Sequence, residues 1–508
     1  MEDIPQIKKT VHYPIDITIH PYLLDHHFED RVVFPAVETM AVLARAVRHY
    51  QPDAAITGMT RARFDKFLYV APETTQVDAF CDITIQENGD ISAALLTKNR
   101  SPKSSITRIK EHGTLCFPQQ TPDLSPPPMD LTSALEGICF EIPAEKIYRD
   151  LVPFGKAYQN ICDHLIISED GAIAKTRASS VNIEAANLDQ VGSPFPFDAA
   201  LHGACVWGQR YAQIVAFPVG IERRIIYKPT RSGITYLSRI LPVRMEADRL
   251  IFDIWIYDND GNLYEGACGV HMRDVSSGRM KPPRWIIDHR EQKPPEHVPR
   301  RCRAFSVIEL QTLMPFAEKA LSDNERERFQ NMEHKRKRSY LAARLALKRL
   351  SRILSGNDMQ TAASEITTVR ADGVRPCCLR TDGSAPLFCS ASHDDRFAVA
   401  VACDRGVGVD VEKMSKRVLK AQGLYMSEQE QALVRDCHLG EIEAALRIWS
   451  LKEAAAKALG INLADSWNRV RVKAIGACES SYQIDDQDSG TAVHDVVGKH
   501  VITLFDCL

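Results

Sequence analysis

The 508-residue chain has no CxxC pair, although it contains 14 cysteines. They are scattered from Cys81 to Cys507, and the only close pair is Cys377 and Cys378. This distribution excludes a disulfide framework and a four-cysteine zinc site, and it is typical of buried thiols in a reducing compartment.

Long apolar runs and an excess of charge of either sign are also missing. No apolar run approaches the roughly 18 residues that a membrane span needs, and the opening segment MEDIPQIKKT lacks the apolar core of a signal peptide,. The formal net charge of −3 argues against a polyelectrolyte that binds nucleic acid or a membrane surface,. We therefore expect a cytoplasmic protein with no nucleic-acid partner and no membrane partner, in which any basic site is local.

Two proline-rich stretches divide a chain of otherwise ordinary globular composition, with 44% hydrophobic and 25% charged residues,. Residues 118–128 and 282–299 contain five prolines each. Because proline disrupts helices and central strands, both stretches are predicted to be extended connectors. The expected domains are 1–125, 126–281 and 300–508, with 282–299 as a linker.

The first two domains have the same order of elements. Each has one apolar helix-like stretch, at residues 37–50 and 198–214, among segments with strand-like patterns,. One long helix wrapped by a mostly antiparallel sheet, made twice, is an α+β arrangement. The third domain is richer in helices, with helical patterns at residues 324–354 and 441–460.

A histidine and an aspartate are the first candidates for chemistry. His26 stands in a polar turn before the first helix, whose start is marked by Pro35,. Facing an apolar cavity, such a histidine can stay neutral and serve as a general base. In the second domain Asp198 starts the helix and His202 lies one turn later on the same face. An aspartate in that apolar setting would have a raised pKa and could act as the acid partner. The spacing also fits a histidine-rich surface turn and an aspartate that only caps its helix.

These residues lie in motifs that resemble the polyketide synthase dehydratase family, whose fold is the double hot-dog. The resemblance covers about residues 14–280. The family glycine after the histidine is Asp30 here, which leaves open both the conformation of that turn and the activity of this half. The family's HPxLxDH, YxxLxxxGxxY and DxxxH motifs are matched in order by His20-Pro21-Tyr22-Leu23-Leu24-Asp25-His26, by Tyr148, Leu151, Gly155 and Tyr158, and by Asp198 with His202.

The resemblance implies syn elimination of water from a β-hydroxyacyl thioester on a carrier protein. In that reaction His26 removes the α-proton, Asp198 protonates the departing β-hydroxyl, and His202 orients it. Tyr158 is expected to help shape the tunnel for the pantetheine arm. The product-template cyclases share the fold and the pair of residues, so a cyclase is an alternative, and a noncatalytic carrier-docking scaffold is another.

The third domain contains paired acids. Asp410 and Glu412 are two residues apart on a predicted strand in GVGVDVEK, so their carboxylates face the same way and favour a cation such as Mg²⁺,. On the predicted helix WSLKEAAAK, Glu453 and Lys457 share a face,. They are either a third metal carboxylate beside a phosphate-binding lysine or a surface ion pair. Solvated acids at a strand end are the alternative for the first pair.

The same domain has one strongly basic stretch. Residues 324–349 contain nine Lys/Arg against three Glu, a local net charge of about +6,. Such a patch suits a phosphorylated ligand or an acidic partner, although a solvated helix face has the same composition. Nearer the paired acids, Ser392 and His393 occupy a predicted loop before the strand FAVAVA.

Together these features resemble the large, surfactin-type phosphopantetheinyl transferases over about residues 300–490. The family's G[IV]D[IV]E motif is matched by residues 408–412, and its [FW][ST]xKE[AS]xxK motif by residues 449–457. The resemblance implies a pseudo-twofold α+β domain in which Glu453 and Lys457 are catalytic. It assigns Mg²⁺ to Asp410, Glu412 and Glu453. It assigns coenzyme A to Arg344, Arg375, Ser392, His393, Lys452 and Lys457.

The chain is thus predicted to be a bifunctional enzyme of polyketide or fatty-acid-like biosynthesis. One part transfers 4′-phosphopantetheine from coenzyme A to a serine of an acyl carrier protein or polyketide synthase carrier domain. The other part dehydrates β-hydroxyacyl groups on such a carrier. The sequence leaves open the carrier, the acyl chain, the pathway product, homodimer formation and any coupling between the two sites.

Overall fold

A computed structural model describes residues 6–100, 107–121, 123–179, 190–288, 293–369, 376–377, 387–485 and 488–506. The strands are β1 Ile7–Thr18, β2 His27–Phe28, β3 Arg31–Val32, β4 Gly58–Arg63, β5 Gln76–Gln86, β6 Ile91–Arg100, β7 Thr107–Phe117, β8 Phe140–Pro143, β9 Ile161–Ser168, β10 Gly171–Arg177, β11 Phe217–Ile226, β12 Thr235–Met245, β13 Arg249–Tyr257, β14 Leu263–Arg273, β15 Ala304–Glu309, β16 Phe388–His393, β17 Phe397–Cys403, β18 Val407–Lys413, β19 Val470–Ile475, β20 Glu479–Ile484, β21 Asp488–Val497 and β22 His500–Asp506.

The helices are α1 Ala36–Tyr50, α2 Met129–Thr132, α3 Ala144–Asp150, α4 Phe195–Trp207, α5 Arg284–Ile287, α6 His297–Arg300, α7 Asp323–Gln330, α8 His334–Leu354, α9 Arg417–Lys420, α10 Gln422–Tyr425, α11 Glu428–Asp436, α12 Glu441–Leu459 and α13 Leu463–Arg469. Among the described residues, no helix combines the length and the apolar character needed to cross a bilayer.

The chain divides into two compact units. Unit 1 comprises Met1–Pro126 and Glu141–Asp288, and unit 2 comprises Pro127–Phe140 and His289–Leu508. Residues 127–140 therefore group with unit 2, whereas the sequence prediction includes them in the second hot-dog. The physical reason is that their buried side chains and charges find partners far along the chain in unit 2, such as Asp130 with Arg352.

Unit 1 is one twelve-stranded sheet that encloses two helices. The strand order is β1-β5-β6-β7-β4-β11-β14-β13-β12-β10-β9-β8, and antiparallel pairing of β4 with β11 joins the halves. Helix α1 buries an apolar face that includes Met40, Leu43 and Val47. Helix α4 is buried at every position, as expected for a helix that is apolar on all sides except at Asp198 and His202,. One helix per half inside an antiparallel sheet confirms the predicted double hot-dog fold.

The second hot-dog helix starts earlier than the sequence predicts. It begins at Phe195, after Pro194, so Asp198 lies within the first turn and not at the start. The backbone N–H of Asp198 donates to the Pro194 carbonyl at 3.1 Å. The sequence hides this start because Phe195, Pro196 and Phe197 look like a loop, yet proline is tolerated in the first turn of a helix.

Unit 2 is built from two α+β halves. In the first half α8 packs on the three-stranded sheet β15-β17-β16, and in the second α12 packs on the five-stranded sheet β18-β22-β21-β20-β19. Each half has one long helix on one antiparallel sheet, which confirms the predicted α+β class of this domain.

Two helix predictions in unit 2 require correction. The stretch predicted as one helix over 324–354 is broken between Gln330 and His334, where α7 ends and α8 begins. At the start of α7 the Glu325 carboxylate accepts from the Ser322 N–H at 2.9 Å, which is one half of a capping box,. The proline-rich stretch 282–299 was predicted to lack helix, but α5 and the start of α6 form single turns there. Pro283 immediately precedes α5, where a missing N–H costs nothing,.

Candidate functional site

In unit 1, His26 is placed by a tight hairpin between β2 and β3. Its Nδ1 lies 2.9 Å from the Val33 carbonyl oxygen, which fixes the ring and leaves Nε2 for other partners. The two loop residues, Glu29 and Asp30, have φ of 48° and 60°. Both central residues in the left-handed region define the type I′ hairpin turn, which acidic residues can adopt at some cost. Asp30 therefore occupies a conformation that glycine would adopt more easily. The tight turn after His26 forms even though aspartate stands at this position.

His26, Asp198 and His202 line one cavity. The rest of its wall is largely apolar and also includes one lysine and a third histidine. The lining residues include Val33, Phe34, Phe64, Lys66, Phe67, His112, Val152, Phe154, Leu201, Phe217 and Met272. The structure thus brings together three residues predicted from two separate motifs.

The cavity keeps His26 neutral. Burial lowers the pKa of His26 to about 4, and the attraction of the Asp198 carboxylate opposes that shift only in part. The ring stacks on Phe154 at a centroid distance of 4.3 Å and meets Tyr158 edge-on at 5.1 Å. A neutral imidazole with one nitrogen held by a carbonyl can accept a proton at the other.

Asp198 lies beside His202, as the i,i+4 spacing predicts. His202 Nε2 is 2.9 Å from Asp198 Oδ2, although the two groups are not aligned for a hydrogen bond, and both side chains are buried. On its other side His202 Nδ1 lies 3.4 Å from the Tyr148 hydroxyl oxygen, which also accepts from the Ile161 N–H. The sequence identifies Tyr148 only as a motif residue, and the structure places its ring against His202.

Two of the sequence motifs are joined directly. The Asp25 carboxylate accepts from the Ala157 N–H at 2.8 Å, and the Asp25 carbonyl accepts from the Gly155 N–H at 2.8 Å. A Cβ on Gly155 would lie 2.3 Å from the Asp25 side chain, so only glycine allows this approach. Tyr158 follows and is fully buried against His26. The contact holds the segment that carries His26 against the segment that carries Tyr158.

In unit 2, strand β18 and helix α12 bring three carboxylates together. Oxygen atoms of Asp410, Glu412 and Glu453 all lie within 4.8 Å of one another. Asp410 and Glu412 share one side of β18, as the two-residue spacing predicts. Asp410 is buried, and its Oδ2 has no hydrogen-bond partner among the described residues. Three hard oxygen donors with one left unsatisfied fit a divalent cation such as Mg²⁺.

Lys457 and Ser392 contact this cluster from the other side. The Lys457 ammonium lies 3.0 Å from Asp410 Oδ1, and it donates to the Ser392 hydroxyl and to the Val409 carbonyl, both at 2.9 Å. The Ser392 hydroxyl donates to Asp410 Oδ1 at 2.9 Å. Glu453 lies 3.7 Å from the same ammonium. The described geometry makes Lys457 a counterion of the acids.

Burial and neighbouring carboxylates raise the pKa of Glu412 and of Glu453. Burial, followed by repulsion from Asp410 and Glu453, raises the pKa of Glu412 to about 7. Burial and Asp410 also raise the pKa of Glu453, against the attraction of Lys457. Such repulsion between neighbouring acids favours the binding of a cation.

The predicted coenzyme A residues are only partly placed together. His393 ends β16 beside Ser392, and burial followed by the charge of Lys457 lowers its pKa. Arg344 on α8 donates to the Thr368 carbonyl at 3.1 Å and to its hydroxyl at 3.0 Å. Arg375 lies outside the described residues.

Lys452 requires a correction. Its ammonium donates to Glu430 at 2.9 Å and to the carbonyls of Tyr425 and Trp467 at 2.7 and 3.3 Å. The side chain is 1% exposed. All three ammonium hydrogens are thus used inside the core of unit 2, and none is left for a phosphate of coenzyme A. The sequence motif places Lys452 next to Glu453, but adjacent helical residues point about 100° apart.

The basic stretch is also less available than its composition suggests. Lys348 is fully buried and pairs with Glu325 at 2.9 Å, and Arg349 is buried with Glu136 at 3.2 Å. The positive charges of this stretch that reach solvent are concentrated at the start of α8. The exposed ones there are Lys335, Arg336 and Arg338, and Arg328 on α7 is exposed as well.

A second acidic group was not expected from the sequence. Asp394, Asp395 and His500 have ligand atoms within 4.8 Å of one another. His500 Nε2 is 3.1 Å from Asp394, and Lys413 pairs with Asp395 at 2.9 Å. Each acid in this group has a basic partner, so the arrangement is an ion-pair network. It stabilises the turn after His393, where Asp394 accepts from the N–H groups of residues 396 and 397.

Comparison with known proteins gives two matches to families. Residues 406–505 match the 4′-phosphopantetheinyl transferase superfamily, and residues 127–282 match the polyketide synthase dehydratase N-terminal domain. Both resemblances expected from the sequence motifs are therefore confirmed, each over its own part of the chain.

Curated relatives are consistent with the transferase match of unit 2. Two holo-[acyl-carrier-protein] synthases from strains of Lactobacillus delbrueckii subsp. bulgaricus are 34% identical over 88 residues, which is 17% of this chain. The chain spans 64% of the length of these relatives.

Solved structures with similarity include the dehydratase domain of a mycocerosic acid synthase-like polyketide synthase. It is 15% identical, with a TM-score of 0.43, over 54% of this chain and 98% of that domain. A trans-AT polyketide synthase dehydratase domain from Brevibacillus brevis is 18% identical, with a TM-score of 0.42, over 53% of this chain and 96% of that domain.

Proposed function

We propose that the protein is a bifunctional enzyme that acts twice on carrier proteins. Unit 2 would transfer 4′-phosphopantetheine from coenzyme A to a carrier serine, and unit 1 would dehydrate a β-hydroxyacyl thioester on such a carrier. The observation that carries the transferase is the cluster of Asp410, Glu412 and Glu453 with Lys457. For the lyase it is the cavity that combines a neutral His26 with Asp198.

In the proposed transfer, the carrier serine oxygen attacks the β-phosphate of coenzyme A. The new P–O bond forms as the pyrophosphate P–O bond breaks, and adenosine 3′,5′-bisphosphate leaves. Glu453 would take the serine proton, directly or through a water molecule. Lys457 keeps Asp410 in place, while His393 and Arg344 would contact the nucleotide phosphates.

A divalent cation fits the acids of unit 2. Asp410, Glu412 and Glu453 would hold Mg²⁺, which when bound would neutralise the charge of the pyrophosphate. Three carboxylates beside one ammonium leave this part of unit 2 with an excess of negative charge that a divalent cation would balance.

In the proposed dehydration, His26 removes the proton from the α-carbon of the acyl group. The C–O bond at the β-carbon breaks, and a protonated Asp198 gives its proton to the departing hydroxyl, so that water leaves. His202, held between Asp198 and Tyr148, would keep the acid in position. The apolar wall of the cavity excludes water and suits an acyl chain.

The transferase is tested by incubating the full chain with an apo carrier protein, coenzyme A and Mg²⁺, and by measuring the intact mass of the carrier. We expect the carrier mass to rise by one phosphopantetheine. Glu453→Gln should abolish the change, because the amide cannot take the serine proton. Glu441→Gln, an exposed acid at the start of the same helix, is the matched control. Unchanged labelling by Glu453→Gln would contradict the assigned base.

The lyase is tested with a carrier loaded with a β-hydroxyacyl group. We expect the acyl-carrier to lose the mass of one water, and His26→Gln to stop that loss. His49→Gln, at an exposed position on α1, is the control and should leave the reaction intact. Ring closure without loss of water would favour the cyclase interpretation, and binding without any mass change would favour the scaffold.

A further inference from the structure

Residues 127–140, which we name the strap, are built into unit 2 although they lie in sequence between the two hot-dog halves. The strap side chains of Ala134, Leu135 and Cys139 are at most 1% exposed. Its backbone is also bonded to unit 2: the Leu135 N–H donates to the Thr312 hydroxyl at 3.1 Å. The Ser133 carbonyl accepts from the Met314 N–H at 2.8 Å. The strap is therefore part of the core of unit 2.

The strap supplies a carboxylate to a row of cations on α8. Arg344, Lys348 and Arg352 are spaced four residues apart, so they share one face of the helix. Lys348 pairs with Glu325, and Arg352 pairs with Asp130 of the strap through two hydrogen bonds of 2.7 and 2.9 Å. Asp130 is fully buried and Arg352 nearly so. Among the described residues, no carboxylate forms an ion pair with Arg344, the first member of the row.

A second guanidinium fixes the strap to the same helix. Arg349 donates to the Ala134 carbonyl at 2.7 Å and to the Asp130 carbonyl at 3.2 Å, and it pairs with Glu136 at 3.2 Å. Buried groups with so many partners hold one geometry, since any shift leaves a desolvated charge unsatisfied. The strap thereby fixes the position of the later turns of α8. Because Arg344 is on the same helix, its position is fixed as well.

The strap also reaches the turn that follows His393. The Cys139 N–H donates to Glu309 at 2.8 Å, and Glu309 is fully buried. The Arg396 guanidinium donates to the same carboxylate at 3.2 Å. Arg396 is three residues after His393, in the turn between β16 and β17. Two successive contacts, from Cys139 to Glu309 and from Glu309 to Arg396, therefore connect the strap to the turn that follows His393. His393 is the second residue expected to bind the nucleotide.

We propose that the strap is a positioning segment of the coenzyme A site in unit 2. It fixes Arg344 through α8, and it fixes His393 through Glu309 and Arg396. This inference rests on the proposed transferase function. It means that the transferase is incomplete in any fragment that starts after the second proline-rich stretch, because the segment that orders its ligand-binding residues precedes Glu141.

The experiment uses the full chain and measures KM for coenzyme A and kcat for labelling of an apo carrier. In Asp130→Asn the Arg352 guanidinium loses its charged partner, and we expect KM for coenzyme A to rise about tenfold. Asp130→Glu, which restores the carboxylate, should recover most of the affinity. Glu145→Gln, a change of a largely exposed acid in unit 1, should leave both constants unchanged.

The division between KM and kcat separates positioning from loss of folded protein. A variant that only unfolds part of the population lowers kcat and leaves KM unchanged, and that result for Asp130→Asn would overturn the inference. If Asp130→Asn does not fold, Glu136→Gln removes the less buried carboxylate and should raise KM in the same direction. A wild-type chain that neither binds coenzyme A nor labels a carrier would instead refute the proposed transferase itself.

Discussion

The lowered pKa of His26 makes a prediction about both rate and stability. An ordinary histidine, with a pKa near 6.5, would be about nine-tenths protonated at about pH 5.5 and would have lost about tenfold of its activity as a base. At a pKa of about 4, His26 stays neutral there. We therefore expect kcat/KM for dehydration to show no loss from His26 between about pH 7.5 and about pH 5.5, with its acid limb near pH 4.

The same shift has a calculable effect on folding. Between pH 6.5 and pH 4, His26 is protonated in the unfolded chain but neutral in the folded protein. The free energy of unfolding therefore falls as the pH falls. A shift from 6.5 to about 4 corresponds to about 3 kcal/mol, which is present above pH 6.5 and lost by about pH 4,. The direction is that of a buried neutral base, and it is opposite to that of a histidine in an ion pair.

The measurement is urea unfolding of the full chain and of His26→Gln across this pH range. Glutamine does not titrate, so the difference in unfolding free energy between the two proteins isolates His26. As the pH falls from 7 to 4, the wild type should lose about 3 kcal/mol of unfolding free energy relative to His26→Gln. A difference that is flat with pH, or that changes only near pH 6.5 together with the rate, would refute the assignment of a neutral, buried base.

Three further substitutions test local geometry. Asp30→Gly should stabilise unit 1 by up to about 1 kcal/mol in urea unfolding, because glycine adopts the observed left-handed conformation without strain,; no gain would contradict that turn. Gly155→Ala should destabilise unit 1 by about 1–3 kcal/mol and lower dehydration, because its Cβ would collide with Asp25,; wild-type melting and activity would show that the two motifs are not in contact. Lys452→Met should destabilise unit 2 by about 3–5 kcal/mol, since it leaves Glu430 buried and unpaired,. KM for coenzyme A in the remaining folded protein should not change, whereas a raised KM would restore Lys452 to the nucleotide site.

Local patterns predicted the parts of the sites that depend on one element at a time. The two-residue spacing of Asp410 and Glu412 on a strand, and the four-residue spacings of Asp198 with His202 and of Glu453 with Lys457, each fix a shared face. The structure places these pairs at 4.8 Å or less. The double hot-dog fold followed from the motif order, because each motif occurs at a fixed place relative to its central helix.

Long-range contacts could not be predicted in this way. Asp130 and Arg352 are 222 residues apart, and nothing in the composition of residues 127–140 distinguishes a strap from a linker. The burial of Lys452 depends on Glu430, on a different helix. The break before α8 contains neither glycine nor proline, so it carries no local signal. In the first two cases a buried charge is satisfied by a partner that only the folded chain brings near.

The two sites use buried charge in opposite ways, and this difference follows from the chemistry proposed for each. A base that removes a carbon-bound proton must be neutral before it acts, and the apolar wall around His26 favours the neutral form more than Asp198 favours the charged one. A site for a pyrophosphate needs positive charge at the moment of transfer, yet the side chains around Asp410 are mainly acids. Lys457 compensates for one of three carboxylates, so the remaining negative charge favours a divalent cation over a second basic side chain,.

Replacing Glu412 by lysine would therefore supply charge of the right sign but remove a ligand, and we expect it to abolish both Mg²⁺-dependent labelling and Mn²⁺ binding measured by calorimetry. Retained labelling without added metal would show that the acids serve another purpose.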